Sequence, residues 1–145
     1  MRYLLWLKYD GTEFHGWQRQ KGDRTVQGEL EEALAAVLGT DYSIASSSRT
    51  DAGVHALHHP VSLRTDKKVP PLGLLKGLNS HCPNDMAVAE IWKAPESFRP
   101  AKMATGKIYR YRLLESIVPD PFEERFSWRR RGPIDFPAMV TAAQH

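Results

Sequence analysis

The residues with the clearest potential for chemistry lie in one short stretch, Ser47 to Ala56, which reads Ser-Ser-Arg-Thr-Asp-Ala-Gly-Val-His-Ala. This stretch brings together a guanidinium at Arg49, a carboxylate at Asp51 and an imidazole at His55, between two short strand-like segments. Ionisable side chains on a loop between rigid elements are a common arrangement in catalytic sites. We therefore interpret Asp51 as a candidate catalytic nucleophile and Arg49 as the residue that steers it.

The same stretch also fits an ordinary turn. An Asp can accept a hydrogen bond from its own backbone, and Gly53 tolerates a positive φ angle. Composition alone favours this turn over a catalytic loop. In the catalytic interpretation, Arg49 would hold the Asp51 carboxylate in its charged form or bind a substrate phosphate. His55 would tune the site or cap the loop, and we favour the cap.

Metal and hydrolase chemistry have weaker support. Asp51, His55, His58 and His59 offer ligand types that zinc and iron accept. However, adjacent histidines in a strand point to opposite faces, no CxxC is present, and the HxxxH spacing of His55 and His59 does not fall on a predicted helix. The chain also contains no Gly-x-Ser-x-Gly elbow and no glycine-rich phosphate loop. We therefore expect no metal site.

Length and composition predict a soluble intracellular protein with a real core. The chain has 145 residues, of which 41% are hydrophobic, enough for one domain or slightly more. Its single cysteine, Cys82, excludes an internal disulfide and is expected to be an idle thiol. The N-terminal run is too short and too quickly charged for a signal peptide or a membrane span. We expect a cytoplasmic protein, or alternatively a mitochondrial or nuclear one, without membrane contact.

Positive charge is concentrated towards the C-terminus. Residues 1–98 carry 11 Lys/Arg against 12 Asp/Glu, whereas residues 99–145 carry 9 against 5. Between Arg99 and Arg131 the cations are interspersed with aromatic residues. This mixture suits a phosphate backbone and unstacked bases, although a solvated face on ordinary strands would look the same.

The apolar pattern predicts the order strand, helix, strand, strand, helix, strand. Residues 2–9 carry bulky apolar groups on both faces, which is typical of a central strand covered on both sides. Thr25 is expected to cap a helix that stops at Gly39, and Pro70-Pro71 to begin a second helix. The further strands are expected at residues 42–46, 60–64 and 86–92, the last with Ala87, Ala89 and Ile91 on one face. This order predicts an α+β fold of the ferredoxin-like, RRM-like βαββαβ type with an antiparallel sheet.

A second, incomplete α+β unit is expected to follow, so the predicted domains are residues 1–97 and 98–145. Lys107 to Glu115 alternates as a strand that carries Tyr109 and Arg110. Asp135 is expected to cap a helix running through Ala143. Nearer the N-terminus, residues 12–20 read as an exposed loop that meets nucleic acid, or as a hairpin anchored by Trp17.

Several motifs in the correct order resemble the tRNA pseudouridine synthase A family, in particular its pseudouridylate synthase-like branch. The resemblance covers nearly the whole chain. The segments that carry it are Tyr9-Asp10-Gly11-Thr12, Gly16-Trp17-Gln18-Arg19-Gln20, Thr25-Val26-Gln27, Arg49 to Ala56 and Lys107-Ile108-Tyr109-Arg110-Tyr111-Arg112.

The resemblance implies isomerisation of uridine to pseudouridine in tRNA, usually in the anticodon stem-loop, without a cofactor or metal. Asp51 corresponds to the catalytic aspartate, which attacks ribose C1′ or uracil C6, and Arg49 to the arginine that interacts with it. Tyr109 matches the tyrosine that stacks on the target base after the base has left the helix. The further residues expected to bind substrate or RNA are Gln18, Arg19, His55, Lys107 and Arg110.

Two departures from the family pattern bear on activity. Ala101 stands where the family usually has an arginine. Relatives are also much longer, so the resemblance implies a chain truncated after the N-terminal half, without further active-site residues and much of the interface of a possible homodimer. The alternative function is a truncated, catalytically inactive RNA-binding module of the same fold. A third reading, a generic ferredoxin-like interaction domain, would be excluded by salt-dependent affinity for tRNA.

Overall fold

The computed structural model describes residues 1–144, which belong to two compact units. The first unit runs from Met1 to Thr105 and the second begins at Gly106. Both contain helices and strands, so the chain is of the mixed α+β class. None of the helices in residues 1–144 has the length and apolar character needed to cross a membrane.

The first unit is built on a four-stranded antiparallel sheet in the order β2-β3-β1-β4. The predicted sequence of strand, helix, strand, strand, helix, strand is confirmed, and one short helix follows it. The elements are β1 (Arg2–Tyr9), α1 (Val26–Leu38), β2 (Ser43–Ser46), β3 (Ala56–Arg64), α2 (Pro71–Asn79), β4 (Met86–Ala94) and α3 (Pro100–Met103).

Helix α1 begins and ends where its sequence predicts. The backbone of Thr25 is extended, and its side-chain oxygen accepts a hydrogen bond from the Gly28 N–H at 3.3 Å. At the other end Gly39 has a φ of 66°, and its N–H donates to the carbonyl of Ala35. One apolar stripe of the helix is buried in the core, formed by Val26, Leu30, Ala33, Leu34 and Leu38.

The two faces of the central strand β1 are covered unequally, so the prediction of a strand covered on both sides holds only in part. Tyr3, Leu5, Leu7 and Tyr9 are buried, whereas the alternate residues are half-buried or, at Lys8, exposed. Helices α1 and α2 both contribute their apolar residues to the core on the buried face. The bulky residues of the other face therefore have no comparable apolar layer within the first unit.

The predicted faces of β4 are also wrong, because a bulge interrupts its pairing with β1. Trp6 lies opposite Glu90, but the next residue of β1, Leu7, lies opposite Val88. The extra residue on β4 shifts the side-chain alternation. As a result Ile91 is buried with Met86 and Val88, and not grouped with the alanines as expected.

The second unit contains two short parallel strands and one helix: β5 (Leu113–Glu115), a 3₁₀ turn (Glu124–Phe126), β6 (Trp128–Arg130) and α4 (Phe136–Ala142). The predicted strand from Lys107 is correct only for its last three residues. Strands need a neighbour for their backbone groups, and within the described residues β5 has a partner only over this short span. The predicted cap is confirmed, since the Asp135 carboxylate accepts from the Ala138 N–H at 2.9 Å.

We expect Thr25→Ala to lower the free energy of unfolding by about 1 kcal/mol, because the first turn of α1 loses its capping oxygen. Thr25→Ser keeps that oxygen and serves as the control. Urea unfolding followed by circular dichroism measures both variants. Equal stability of the alanine and serine variants would contradict the capping role.

Candidate active site

Two loops of the first unit are bonded to each other through their backbones. One loop, residues 10–25, joins β1 to α1, and the other, residues 47–55, joins β2 to β3. The Trp17 N–H donates to the Thr50 carbonyl at 3.0 Å, and the Gly53 N–H donates to the Phe14 carbonyl at 3.1 Å. The 10–25 loop therefore supports the backbone that carries Arg49 and Asp51.

Two glycines allow the loops to approach this closely. A Cβ placed on Gly11 would lie 2.1 Å from the carbonyl oxygen of Val54. A Cβ on Gly16 would lie 2.7 Å from the carbonyl oxygen of Thr50, and Gly16 also has a φ of +83°. Both distances are impossible for a real side chain against backbone, so each position requires glycine.

A second set of contacts ties the 10–25 loop to the beginning of β4. The Arg24 guanidinium donates to both carboxylate oxygens of Asp85, at 2.7 and 2.8 Å, and to Glu29 at 2.7 Å. It also lies 4.2 Å from the centre of the Phe14 ring. The pairing with Arg24 lowers the pKa of Asp85. Because this bidentate pair is stacked on an aromatic ring, it fixes the loop more firmly than an exposed ion pair would.

A buried chain of side-chain hydrogen bonds holds the 47–55 loop from beneath. Within it, the ring of His59 lies between the Tyr9 hydroxyl, 3.2 Å from Nδ1, and the Ser46 hydroxyl, 2.6 Å from Nε2. The Tyr9 hydroxyl is in turn 2.9 Å from the Thr50 hydroxyl. Trp17 stacks on the His59 ring with 4.2 Å between centroids. We call the four bonded side chains the His59 chain.

The carbonyl of Ser48 fixes the direction of every bond in the His59 chain. A carbonyl only accepts, so the Ser46 hydroxyl donates to it, at 2.8 Å, and must accept from His59 Nε2–H. His59 Nδ1 is then unprotonated and accepts from the Tyr9 hydroxyl, which accepts from Thr50. The chain therefore anchors the loop at Ser48 and at Thr50, the two residues that flank Arg49.

The His59 chain requires a neutral imidazole, and the surroundings enforce it. His59 is buried, with 2% of its surface exposed, and this burial lowers the pKa of its imidazole to about 4. Desolvation disfavours the charged ring, and burial is the cause of the shift. The bond directions deduced above therefore apply at neutral pH.

Asp51 lies in an open pocket of about 370 Å³, which we call the Asp51 pocket. A pocket of this size is at the lower end of the range for small-molecule sites. Asp51 and Arg49 are both exposed, and within residues 1–144 neither side chain is ion-paired with the other or with another residue. Both charged side chains are therefore available to a molecule that binds in the pocket. The lining residues are His15, Gln18, Gln20, Arg49, Thr50, Asp51 and Ala52.

A neighbouring pocket of about 350 Å³ shares two of these residues, Gln18 and Arg49. Its remaining wall is the edge strand β2 and the serines that follow it, with Trp17 and Gln27 opposite. The side chains of Gln18 and Arg49 are thus common to both cavities. The two pockets together offer room for two adjacent small groups.

The other residues singled out by the sequence lie outside both pocket linings. Arg19 is ion-paired with Glu31 of α1. His55 Nδ1 lies 3.1 Å from the Gly11 amide nitrogen and 3.0 Å from an Asp10 carboxylate oxygen, so it links the loop to the end of β1. Lys107, Tyr109 and Arg110 belong to the second unit, and their role at the site stays a prediction.

Neither metal ligation nor a cysteine nucleophile gains support. Among residues 1–144 no group of three or more His, Cys, Asp and Glu side chains is arranged to hold a metal ion. His58 is exposed and His59 buried, so the adjacent histidines face opposite sides as expected. Burial raises the pKa of the Cys82 thiol to about 11, which disfavours the reactive thiolate.

Sequence reasoning missed the residues that position the loop, namely Tyr9, Ser46 and His59. One signal was available for two of them. Tyr9 and His59 occupy inward-facing positions of β1 and β3, and a buried polar side chain needs a hydrogen-bond partner. The sequence does not show which partner each would find.

We expect Gly11→Ala to lower the free energy of unfolding by about 1–3 kcal/mol, since the added methyl group must displace the Val54 backbone. Gly73→Ala in α2 is the matched control, because its Cβ would meet only a Val69 methyl at 3.9 Å. Chemical denaturation measures both. A Gly11→Ala variant as stable as the control would contradict the close packing of the loops.

Burial of His59 predicts a loss of stability in acid. The imidazole pKa is about 4 when folded and about 6.5 when unfolded, so the unfolded chain binds more protons between these values. Stability is therefore complete above pH 6.5 and falls by about 3 kcal/mol as the pH drops towards 4. Unfolding free energies of the parent, His59→Gln and His58→Gln at pH 7 and 4.5 measure this component. The loss of stability in acid should be smaller by this amount in His59→Gln and unchanged in His58→Gln. A His59→Gln variant with the same pH dependence as the parent would contradict the role given to His59.

Comparison with known proteins connects this geometry to a family. The sequence profile described as tRNA pseudouridine synthase matches residues 6–100, a range that includes both loops and the Asp51 pocket. The chain is 40% identical over 141 residues to tRNA pseudouridine synthase A of Geotalea uraniireducens (strain Rf4), covering 97% of this chain and 58% of that protein. It is 41% identical over 133 residues to the protein of the same name from Aquifex aeolicus (strain VF5), covering 92% and 55%.

The relative from Geobacter sp. (strain M21), also named tRNA pseudouridine synthase A, is 43% identical over 138 residues, with coverage of 95% and 56%. The chain therefore spans somewhat more than half the length of these curated relatives. The finer assignment to the pseudouridylate synthase-like branch stays a prediction. From the match over residues 6–100, the chain belongs to the tRNA pseudouridine synthase family.

Proposed function

We propose that this chain supplies the nucleophile and part of the RNA-binding surface for isomerisation of uridine to pseudouridine in tRNA. The observation that carries the proposal is the placement of Asp51. Its carboxylate has no side-chain partner within residues 1–144, lies in an open pocket, and stands on a loop held from two sides. The names of the relatives, tRNA pseudouridine synthase A, support the reaction and the substrate.

The proposed reaction replaces the bond that joins the uracil to the ribose with a bond to a different ring atom. The bond from N1 to ribose C1′ breaks, and a bond from C5 to C1′ forms. C5 loses a proton and N1 gains one, so product and substrate have the same composition and no oxidant or reductant is consumed. The Asp51 carboxylate attacks ribose C1′ or uracil C6 and is released when the new bond is complete.

Arg49 is proposed to bind a phosphate beside the target nucleotide. Its guanidinium is exposed between the two pockets and is not bonded to Asp51, so its fork of donors is available to phosphate oxygens. The target base must leave its stack to reach Asp51, at a cost of a few kcal/mol. Phosphate contacts and a neighbouring nucleotide in the second pocket would offset that cost.

The second unit is proposed to complete the RNA contact. Tyr109 is 73% exposed. The exposed Lys107 lies two residues before Tyr109, and Arg110 lies directly after it. An exposed ring between cations suits stacking on a base beside the phosphate backbone. We extend the proposal to the anticodon stem-loop as the target and to a homodimer as the form of the longer protein. The β2-β3-β1-β4 order, with one helix in each of two crossovers, supports a ferredoxin-like arrangement of the first unit.

We expect Asp51→Asn to lower the rate of pseudouridine formation by more than about 10³-fold while leaving tRNA affinity within about twofold, because only the nucleophile is lost. Tritium release from tRNA labelled at uridine C5 measures turnover, and filter binding measures affinity. Both are measured with this chain and with any longer form of the same protein. Asp66→Asn, an exposed carboxylate outside both pockets, is the matched control.

Equal turnover by the Asp51→Asn variant and the parent would end the nucleophile assignment. Salt-dependent tRNA binding without turnover by any form of the parent would point instead to an RNA-binding module. Loss of affinity in parallel with loss of turnover would assign Asp51 to binding and not to chemistry.

A further inference from the structure

A row of amide and carboxylate groups leads from helix α1 into the Asp51 pocket. Gln27 Nε2 donates to Glu31 Oε1 at 2.8 Å, and Gln18 Nε2 donates to Gln27 Oε1 at 2.8 Å. The other carboxylate oxygen of Glu31 accepts from the Arg19 guanidinium. The row ends at Gln18, which lines the pocket together with Asp51.

The hydrogen-bond partners fix the orientation of both amides. A carboxylate only accepts, so Gln27 must turn its NH₂ group towards Glu31 and its oxygen towards the 10–25 loop. The backbone N–H of Arg19 donates to the same Gln27 oxygen at 3.2 Å, which requires this orientation independently. Gln18 can therefore meet Gln27 only through its own NH₂ group.

The orientation leaves the Gln18 carbonyl oxygen, together with the second N–H of the same amide, available to a ligand. This oxygen has no hydrogen-bond partner in the part of the chain that the structure describes, and Gln18 is half-buried. An amide that donates through its nitrogen becomes a better acceptor at its oxygen, because bonded dipoles polarise one another. Gln18 thus has an unbonded acceptor oxygen, and it lines the same pocket as Asp51.

We propose that Gln18 Oε1 accepts a hydrogen bond from the N3–H of the target uracil and so selects uracil over cytosine. The proposal rests on the function proposed above and names the atom that reads the base. Uracil carries a hydrogen on N3, whereas N3 of cytosine is an acceptor. With cytosine in the same position, two lone pairs would face each other in a partly desolvated site, which is unfavourable.

The symmetry of the uracil ring makes N3 a suitable point of attachment during isomerisation. N1 and C5 lie on either side of the axis that passes through C6 and N3. Turning the ring by half a revolution about that axis brings C5 to the position of N1 while N3 remains in place. One acceptor at N3–H can therefore hold the base in both its substrate and its product orientation.

The test compares the affinity of the parent for three single-stranded nonamers, of uridine, cytidine and N3-methyluridine, by fluorescence anisotropy. We expect uridine to bind roughly tenfold more tightly than either of the others, as one well-placed hydrogen bond allows. Gln18→Leu should lose this preference by weakening uridine binding alone. Gln27→Leu, which frees the Gln18 amide to turn, should reduce the preference, and Gln144→Leu is the matched control.

An unchanged preference in Gln18→Leu, or an equal loss of affinity for all three nonamers, would overturn the proposal. So would a parent that does not distinguish uridine from cytidine. Circular dichroism checks that each variant is folded, and Gln18→Met replaces Gln18→Leu should the latter not fold. Because the readout is binding, it is independent of turnover. A Gln18-dependent preference without tritium release would reject the proposed function and keep this inference.

Discussion

The hydrogen bond between the Tyr9 and Thr50 hydroxyls is the contact on which the placement of Asp51 depends. It joins the end of the central strand to the residue immediately before the proposed nucleophile. The tyrosine is buried, and burial raises the pKa of its hydroxyl, so it stays a neutral donor and acceptor. Burying such a hydroxyl without hydrogen-bond partners would be costly. In the His59 chain, each side chain is a hydrogen-bond partner for the next.

The remaining supports act on the same loop from other directions. The 10–25 loop forms backbone hydrogen bonds with the 47–55 loop. It is itself attached to the start of β4 through the ion pair of Arg24 and Asp85. Gly11 and Gly16 remove the bulk that would separate the two loops. Asp51 is therefore exposed in its side chain but fixed in its backbone, a combination that suits a group awaiting a substrate.

Local sequence signals predicted much of this architecture, and the resemblance to a known family singled out the proposed nucleophile. Thr25, Gly39 and Asp135 act as predicted because capping depends on neighbours only a few residues away. The unequal cover of the two faces of β1 and the bulge in β4 were missed, since both depend on what packs against the strand. The same holds for the His59 chain and for the direction in which Gln18 turns its amide. These features arise only when distant segments meet, and one sequence does not show which segments those are.

The anchors of the 47–55 loop have a consequence for the order in which the site forms. Tyr9, Phe14, Trp17, Ser46 and His59 all precede α2 and β4 along the chain. The groups that hold Asp51 therefore leave the ribosome before the strand that completes the sheet. The bonds from Tyr9 to Thr50 and to His59 span 41 and 50 residues, whereas pairing β1 with β4 closes longer loops, so the former cost somewhat less entropy to close. The support of the 47–55 loop would thus be organised when the β2–β3 hairpin joins β1, and the pairing of β4 would follow.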